Sequence, residues 1–220
     1  MQVFIIGATG GVGSRLRKRL VKAGHQVTGI WRREGQEDEL VADGVKPVNI
    51  DLMNTSSEKL AEAMQGCDAV VFSAGAAGAG IEATDGIDGR GCKFAAEAAR
   101  LAGIKRFLLV SAFPEAGRAK KISPTFEHYM QVKKQADVML AATALDWVIL
   151  RPGTLVNDSG SGKVRLGLAI PYGSVPREDV AAVLHSLIEK PEVNRVILEL
   201  TTGEQAAEEA VSDMACCSRR

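Results

Sequence analysis

Short runs of β-forming residues that are apolar throughout alternate with longer amphipathic stretches along most of this chain. No other feature limits its folds as strongly. QVFII is followed by GSRLRKRLVKAG, HQVTGIW by EDELVADG, KPVNI by SEKLAEAMQG, DAVVFSA by DGRGCKFAAEAARLAG and KRFLLVSA by HYMQVKKQADVMLAAT, and the series closes on DWVILRP. A strand with no polar face is covered on both sides, and the helical stretches between strands supply the cover. The pattern therefore predicts an α/β fold built on a doubly wound parallel sheet. Gly24, Gly44, Gly66 and Gly103 stand where four of the helices should end, a place that favours a left-handed residue. After Arg151-Pro152-Gly153 the pattern loosens. VNDSGSGKVRLG reads as a polar loop or short hairpin, PYGSVPREDVAAVLHSLIEK resumes a helix behind Pro176, and the strand NRVILELT and a short acidic helix follow. Connections that leave the carboxyl ends of parallel strands lie over the ligand. The expected organisation is one domain over residues 1–211, with about 153–211 covering a substrate, and a loose tail at 212–220.

The first connection carries the sharpest signal. GATGGVG lies between the first strand and the first helix, where Gly7 can turn the chain tightly, Gly10 can let backbone approach a diphosphate, and Gly13 can let helix and strand pack closely. Backbone N–H groups at the helix start, around Thr9, Gly10, Gly11 and Val12, would face the phosphates. The spacing is G-x-x-G-x-x-G rather than the commoner G-x-G-x-x-G. A site for NAD would place an acidic residue about 20 residues further on, at the end of the second strand. That strand ends instead in Trp31-Arg32-Arg33, and two guanidiniums there suit the 2'-phosphate of NADP. NADP is the expected cofactor, in preference to NAD.

Tyr129 and Lys133 are four positions apart in HYMQVKKQAD, on one face of the helix after the fifth strand. An ammonium beside a phenol favours the phenolate and lowers a pKa that is otherwise near 10. Ser111 stands at the carboxyl end of the fifth strand in LLVSAF, where its hydroxyl could hold a substrate carbonyl.

Together, GATGGVG, the arginines after the second strand, Asp51-Leu52 after the third, Ser111, Tyr129 with Lys133, and LRPG after the sixth resemble the short-chain dehydrogenase/reductases. More narrowly, the chain is similar to their small atypical members of NmrA-like and biliverdin-reductase-B-like type, from Met1 to about Gly203. The resemblance implies a Rossmann fold in which Tyr129 is the general acid, Lys133 holds the nicotinamide ribose, and Ser111 orients the carbonyl. It also implies that Asp51 and Leu52 line the adenine pocket, that Ala74 and Gly75 run under the cofactor, and that Pro152 and Gly153 pass near the nicotinamide. The stretch from Ser111 to Tyr129 is longer than in conventional members of that superfamily.

Three readings of function stay open at this point. The leading one is an NADP-dependent oxidoreductase acting on a small carbonyl or similar acceptor. The others are a flavin or quinone-type reductase that does not need Tyr129, and a sensor that binds NADP(H) without turnover. A sugar-nucleotide epimerase or dehydratase ranks lower, since the segment after Gly153 is short for gripping a nucleotide sugar. Lys plus Arg equals Asp plus Glu at 27 each, so no net field draws the chain to nucleic acid or an anionic membrane, and a small molecule is the expected partner. No apolar run reaches the roughly 18 residues of a spanning helix, and the expected location is cytoplasmic, as monomer or homodimer. Cys67, Cys92, Cys216 and Cys217 lack metal-ligand spacing and read as free thiols. His25 and His185 read as structural. His128 should point about 100° around the helix from Tyr129, and no metal site is expected. Glu178 and Asp179 read as acids suited to the start of the late helix.

Overall fold

The computed structural model describes residues 1–117 and 121–215. Its first half runs β1 (Gln2–Ile6), α1 (Gly13–Lys22), β2 (Gln26–Trp31), α2 (Gln36–Ala42), β3 (Lys46–Asn49), a 3-10 turn at Leu52–Asn54, α3 (Ser57–Ala63) and β4 (Ala69–Phe72). A helical stretch follows in three parts: α4 (Ile81–Ala83), a π-helical segment (Thr84–Gly91) and α5 (Cys92–Leu101). The second half runs β5 (Arg106–Val110), α6 (Pro124–Ala141), β6 (Asp146–Pro152), β7 (Thr154–Val156), β8 (Lys163–Gly167), β9 (Ser174–Pro176), α7 (Arg177–Glu189), β10 (Val196–Thr202), β11 (Gln205–Ala206) and α8 (Ala207–Met214).

The main sheet has the order β3-β2-β1-β4-β5-β6-β10-β8-β11, parallel as far as β10 and antiparallel over its last two pairings. This is the doubly wound Rossmann arrangement. The winding reverses between β1 and β4, where Val3–Ile6 lie in register with Ala69–Phe72. Helices leave those two strands on opposite faces of the sheet, so a crevice opens at their carboxyl ends.

β1 shows why its residues make a central strand. Val3, Phe4, Ile5 and Ile6 are all fully buried. Val3 and Ile5 pack with Leu16 and Leu20 of α1 and Leu184 and Leu187 of α7, whereas Phe4 and Ile6 pack with Leu60 of α3, Ala95 and Ala99 of α5 and Leu140 of α6. Alternate side chains thus feed opposite layers, each such burial stabilising by about 1.5–3 kcal/mol. The expected helix-ending glycines Gly24, Gly44, Gly66 and Gly103 all have positive φ.

The structure departs from the sequence reading in four places. The helical stretch expected to begin at Asp88 begins at Ile81. α6 begins at Pro124 rather than His128, because the Ser123 hydroxyl caps it by accepting the Phe126 N–H at 3.2 Å and Pro124 occupies the first turn. The segment read as a polar loop or short hairpin contains a strand, β8, which joins the main sheet by pairing with β10, while β7 and β9 form a separate parallel pair. Finally, α8 continues to Met214, past the expected boundary at 211. The rest of the expected tail, residues 216–220 with Cys216 and Cys217, lies outside the described residues. No helix among the described residues is long and apolar enough to cross a membrane.

Candidate functional site

A cavity of about 1000 Å³ occupies the crevice at the β1–β4 switch point, with the glycine loop forming one wall. Gly7 leaves β1 with φ +90, and a Cβ there would stand 2.5 Å from the Ala74 backbone nitrogen. Gly10 donates its N–H to the Gly7 carbonyl at 2.9 Å and starts the turn into α1. Gly13 lies against the Gly7 carbonyl, so any side chain would push α1 off the strand, and it is absent from the cavity wall. Gly7, Thr9, Gly10, Gly11 and Val12 do line the cavity. Arg17 braces this loop from behind. Its buried guanidinium donates to the Ala8 carbonyl at 2.8 Å and pairs with Asp43 at 2.7 Å. With no Cβ in the way and N–H groups at the start of α1, the loop fits a diphosphate.

At the end of β2, Arg32 and Arg33 are exposed on the cavity rim, and neither guanidinium has a hydrogen bond or ion pair among the described residues. Their backbone N–H groups donate to Gln36 Oε1 at 3.2 and 3.0 Å, and Gln36 Nε2 donates to the Thr9 hydroxyl at 2.9 Å. Gln36 therefore ties the arginine turn to the glycine loop, a role that sequence reasoning missed. Asp51 and Leu52 line the same end. The Asp51 carboxylate also caps the 3-10 turn, accepting from the Met53 N–H at 3.0 Å and Asn54 Nδ2 at 2.9 Å.

The opposite wall is formed by residues 73–79, Ser111 and α6. Ala74 and Gly75 line the cavity, and Ala77 adopts φ +50, an uncommon conformation for a side chain other than glycine. Below them lies a buried ion pair that sequence reasoning did not find. Asp88 of the π-helical segment accepts the Ala76 N–H at 2.9 Å and faces Lys133 Nζ at 3.4 Å. Lys133 also donates to the Val110 carbonyl at 2.9 Å. Burial works against its ammonium, but the negative charge that Tyr129, Asp88, Cys92 and Asp137 can carry outweighs it and holds its pKa above the ordinary value.

Tyr129 lies half-buried on the cavity wall, one turn before Lys133. Burial raises its pKa above the ordinary 10, and the opposing pull of Lys133 does not reverse this. The lowered tyrosine pKa expected from the four-residue spacing is thus a raised one. The Lys133 ammonium is already engaged by Val110 and Asp88. Ser111 reaches the cavity from the end of β5, and its buried hydroxyl has no hydrogen-bond partner of normal geometry among the described residues. It stands near Asp137, which burial raises in pKa while Ser111 and Arg151, the latter paired at 2.8 Å, pull it back down.

Arg177 closes the mouth. Its side chain crosses Gly11, where a Cβ would come 2.7 Å from Arg177 Cδ, and donates to Asn157 Oδ1 at 2.9 Å and the Leu155 carbonyl at 3.2 Å. The neighbouring acids do not cap α7 through their side chains. Glu178 pairs with Arg19 at 2.7 Å, and buried Asp179 accepts the Gly162 N–H at 2.8 Å, fixing the turn before β8. Pro152 and Gly153, expected near the nicotinamide, are absent from the wall. Gly153 is buried against the Gly173 carbonyl, where β6 passes into the β7–β9 pair. His128 points away from the cavity and pairs with Asp85 at 2.6 Å.

The NAD(P)H-binding family model matches residues 7–191. A Bacillus subtilis protein named an uncharacterized sugar epimerase, YhfK, is 38% identical and the match covers 97% of this chain and 100% of that protein. A solved structure from Bacillus halodurans, provisionally named an NAD-dependent epimerase/dehydratase, is 31% identical with a TM-score of 0.87, covering 97% of this chain and 99% of that one. The oxidoreductase ylbE from Lactococcus lactis is 27% identical with a TM-score of 0.83, covering 97% and 96%. The family match spans the glycine loop, Tyr129, Lys133 and Arg177, and the chain belongs to the NAD(P)H-binding family, among the atypical short-chain dehydrogenase/reductases.

Proposed function

We propose that the protein is an NADP-dependent oxidoreductase that transfers hydride between the nicotinamide and a small carbonyl or similar acceptor, with Tyr129 as proton donor. The observation that carries this reading is the single cavity that joins a diphosphate-ready glycine loop and two unengaged arginines to Ser111, Tyr129 and Lys133. Gly7 through Val12 would hold the diphosphate, Arg32 and Arg33 the 2'-phosphate, and Lys133 the nicotinamide ribose. The bound cofactor supplies the hydride. The chain's part is orientation and proton supply. Ser111 holds the acceptor oxygen, and Tyr129, kept protonated by burial, gives its hydroxyl proton to that oxygen. The polar network of Asp88, Lys133 and the Val110 carbonyl fixes the floor beneath both groups. Pro152 and Gly153 act at one remove, by carrying the chain into the β7–β9 cover. We place the protein in the cytoplasm as monomer or homodimer, acting on a small molecule.

NADPH consumption against a panel of carbonyl and quinone acceptors, on the wild type and on Tyr129→Phe, tests the proposal. Turnover that falls by about 10²-fold or more in the variant is expected. Turnover retained in the variant would transfer the assignment to a reductase whose acceptor takes its proton from water. Tight NADPH binding without turnover would leave the sensor. The names of the Bacillus relatives suggest a fourth outcome, isomerisation of a sugar with no net NADPH consumption. The cover between residues 154 and 176 is built on two three-residue strands, β7 and β9, which favours a smaller substrate.

A further inference from the structure

At the end of α7 remote from Arg177, the fold brings together His25, His185 and Glu189, which the sequence scatters and the proposed reaction does not use. His25 occupies the turn between α1 and β2, while His185 and Glu189 lie one turn apart on α7. His25 Nε2 and His185 Nε2 stand 3.6 and 3.3 Å from Glu189 Oε1, and one ligand atom from each residue lies within 4.8 Å of the others. The two rings meet edge to face with centroids 5.8 Å apart.

Three features argue against an ordinary hydrogen-bonded cluster. The nitrogen–oxygen separations exceed the roughly 2.7–2.9 Å of a charge-assisted hydrogen bond. At 3.3 and 3.6 Å they bracket the separation of about 3.4 Å that ligand atoms adopt around a tetrahedral Zn²⁺ with bonds near 2.1 Å. His185 Nε2, which faces Glu189, is also buried without a hydrogen bond of normal geometry among the described residues, an unusual condition for an imidazole nitrogen. The nearby Arg19 guanidinium is turned to Glu178, with which it pairs at 2.7 Å. The histidine side chains are largely buried, at 11% and 21% exposed, whereas Glu189 is 48% exposed, leaving an entry path and room for a water as fourth ligand.

We infer that His25, His185 and Glu189 form a binding site for a borderline first-row dication, Zn²⁺, that clamps the α1–β2 turn to the end of α7. Two imidazoles and one carboxylate are the donor set that Zn²⁺ favours over Mg²⁺ or Ca²⁺. The site lies at the amino edge of the sheet, on the far side from the cavity, so the ion acts on stability rather than on hydride transfer.

The test is calorimetric titration of ZnCl₂ into untagged, chelator-treated, full-length protein, with thermal unfolding measured in parallel. Cys216 and Cys217 are replaced by Ser in this background so that tail thiols cannot take up zinc. One Zn²⁺ per chain with a micromolar or tighter Kd is expected, together with a rise in Tm. His25→Gln and His185→Gln should each weaken binding at least tenfold and abolish the Tm rise, with unchanged circular dichroism. Should His185→Gln unfold the chain, His25→Gln in its exposed turn decides alone. Absence of zinc binding in the Cys216→Ser/Cys217→Ser background, or binding that survives the histidine substitutions, would overturn the site.

Discussion

Replacing Asp88 by Asn tests the ion pair beneath the cavity with a magnitude set by the structure. Asp88 is 1% exposed and Lys133 3% exposed, so both charges are out of water. The substitution keeps an acceptor for the Ala76 N–H but removes the carboxylate facing the buried ammonium, leaving the Val110 carbonyl as its hydrogen-bond acceptor among the described residues. Removing one member of a buried pair typically costs about 3–5 kcal/mol. The 3.4 Å separation and the retained hydrogen bond place this case lower, at about 2–4 kcal/mol. For a chain of this length that is a fall in Tm of roughly 6–12 °C. Lys133→Met should cost a similar amount, and the double variant should be less damaged than the two single variants added together, with a coupling of about 1 kcal/mol or more. Denaturant unfolding of all four proteins without nucleotide measures the cycle. A loss below 1 kcal/mol for Asp88→Asn, or strict additivity, would refute the reasoning.

Three further outcomes follow from the site. Gly7→Ala places a Cβ 2.5 Å from the Ala74 nitrogen at φ +90, so it should lose about 2 kcal/mol or more and bind nucleotide poorly; a denaturation midpoint like that of the wild type would contradict this. Arg177 lies across Gly11 of the glycine loop, so Arg177→Ala should weaken NADPH binding by about 10- to 100-fold, the equivalent of about 1.4–2.7 kcal/mol for a charge-assisted contact, while folding is retained; unchanged affinity would show that its guanidinium does not reach the bound nucleotide. Burial holds the Tyr129 pKa above 10, and a general acid must be protonated, so kcat/KM for reduction should fall only as pH rises through that raised value. A profile flat to about pH 9.5 is expected, and a Tyr129-dependent fall centred near pH 8 would exclude the role.

The sheet was legible because its signal is local. QVFII and DAVVFSA read as fully covered strands, and Gly24, Gly44, Gly66 and Gly103 marked helix ends where each takes a positive φ. The glycine loop was legible for the same reason, since a turn and a close helix–strand approach restrict residue type at fixed spacing. The start of α6 was written in Ser123-Pro124 and overlooked, whereas the helical stretch from Ile81 was obscured by glycines that normally break helices. Gly86 in that stretch leaves room for the end of the Met53 side chain, which fills the place a Cβ would take. The Asp88–Lys133 pair, Gln36 on Thr9 and Arg177 over Gly11 join residues from separate elements, and no spacing rule connects them. Lys133 pulls the Tyr129 pKa down as its place on the helix implies, but burial, about which adjacency on a helix says nothing, outweighs that pull and leaves the net shift upward. Pro152 and Gly153 stand at the carboxyl end of β6, but their side of the chain turns toward Gly173 and away from the cavity.

The proposed cofactor rests on Arg32 and Arg33, and titration of the wild type and of Arg32→Ala/Arg33→Ala with NADPH and NADH tests it most directly. The wild type should bind NADPH at least about tenfold more tightly than NADH, and the variant should lose that preference while its NADH affinity is kept. Equal affinity for both nucleotides in the wild type, or a preference for NADPH that survives loss of both arginines, would contradict the assignment.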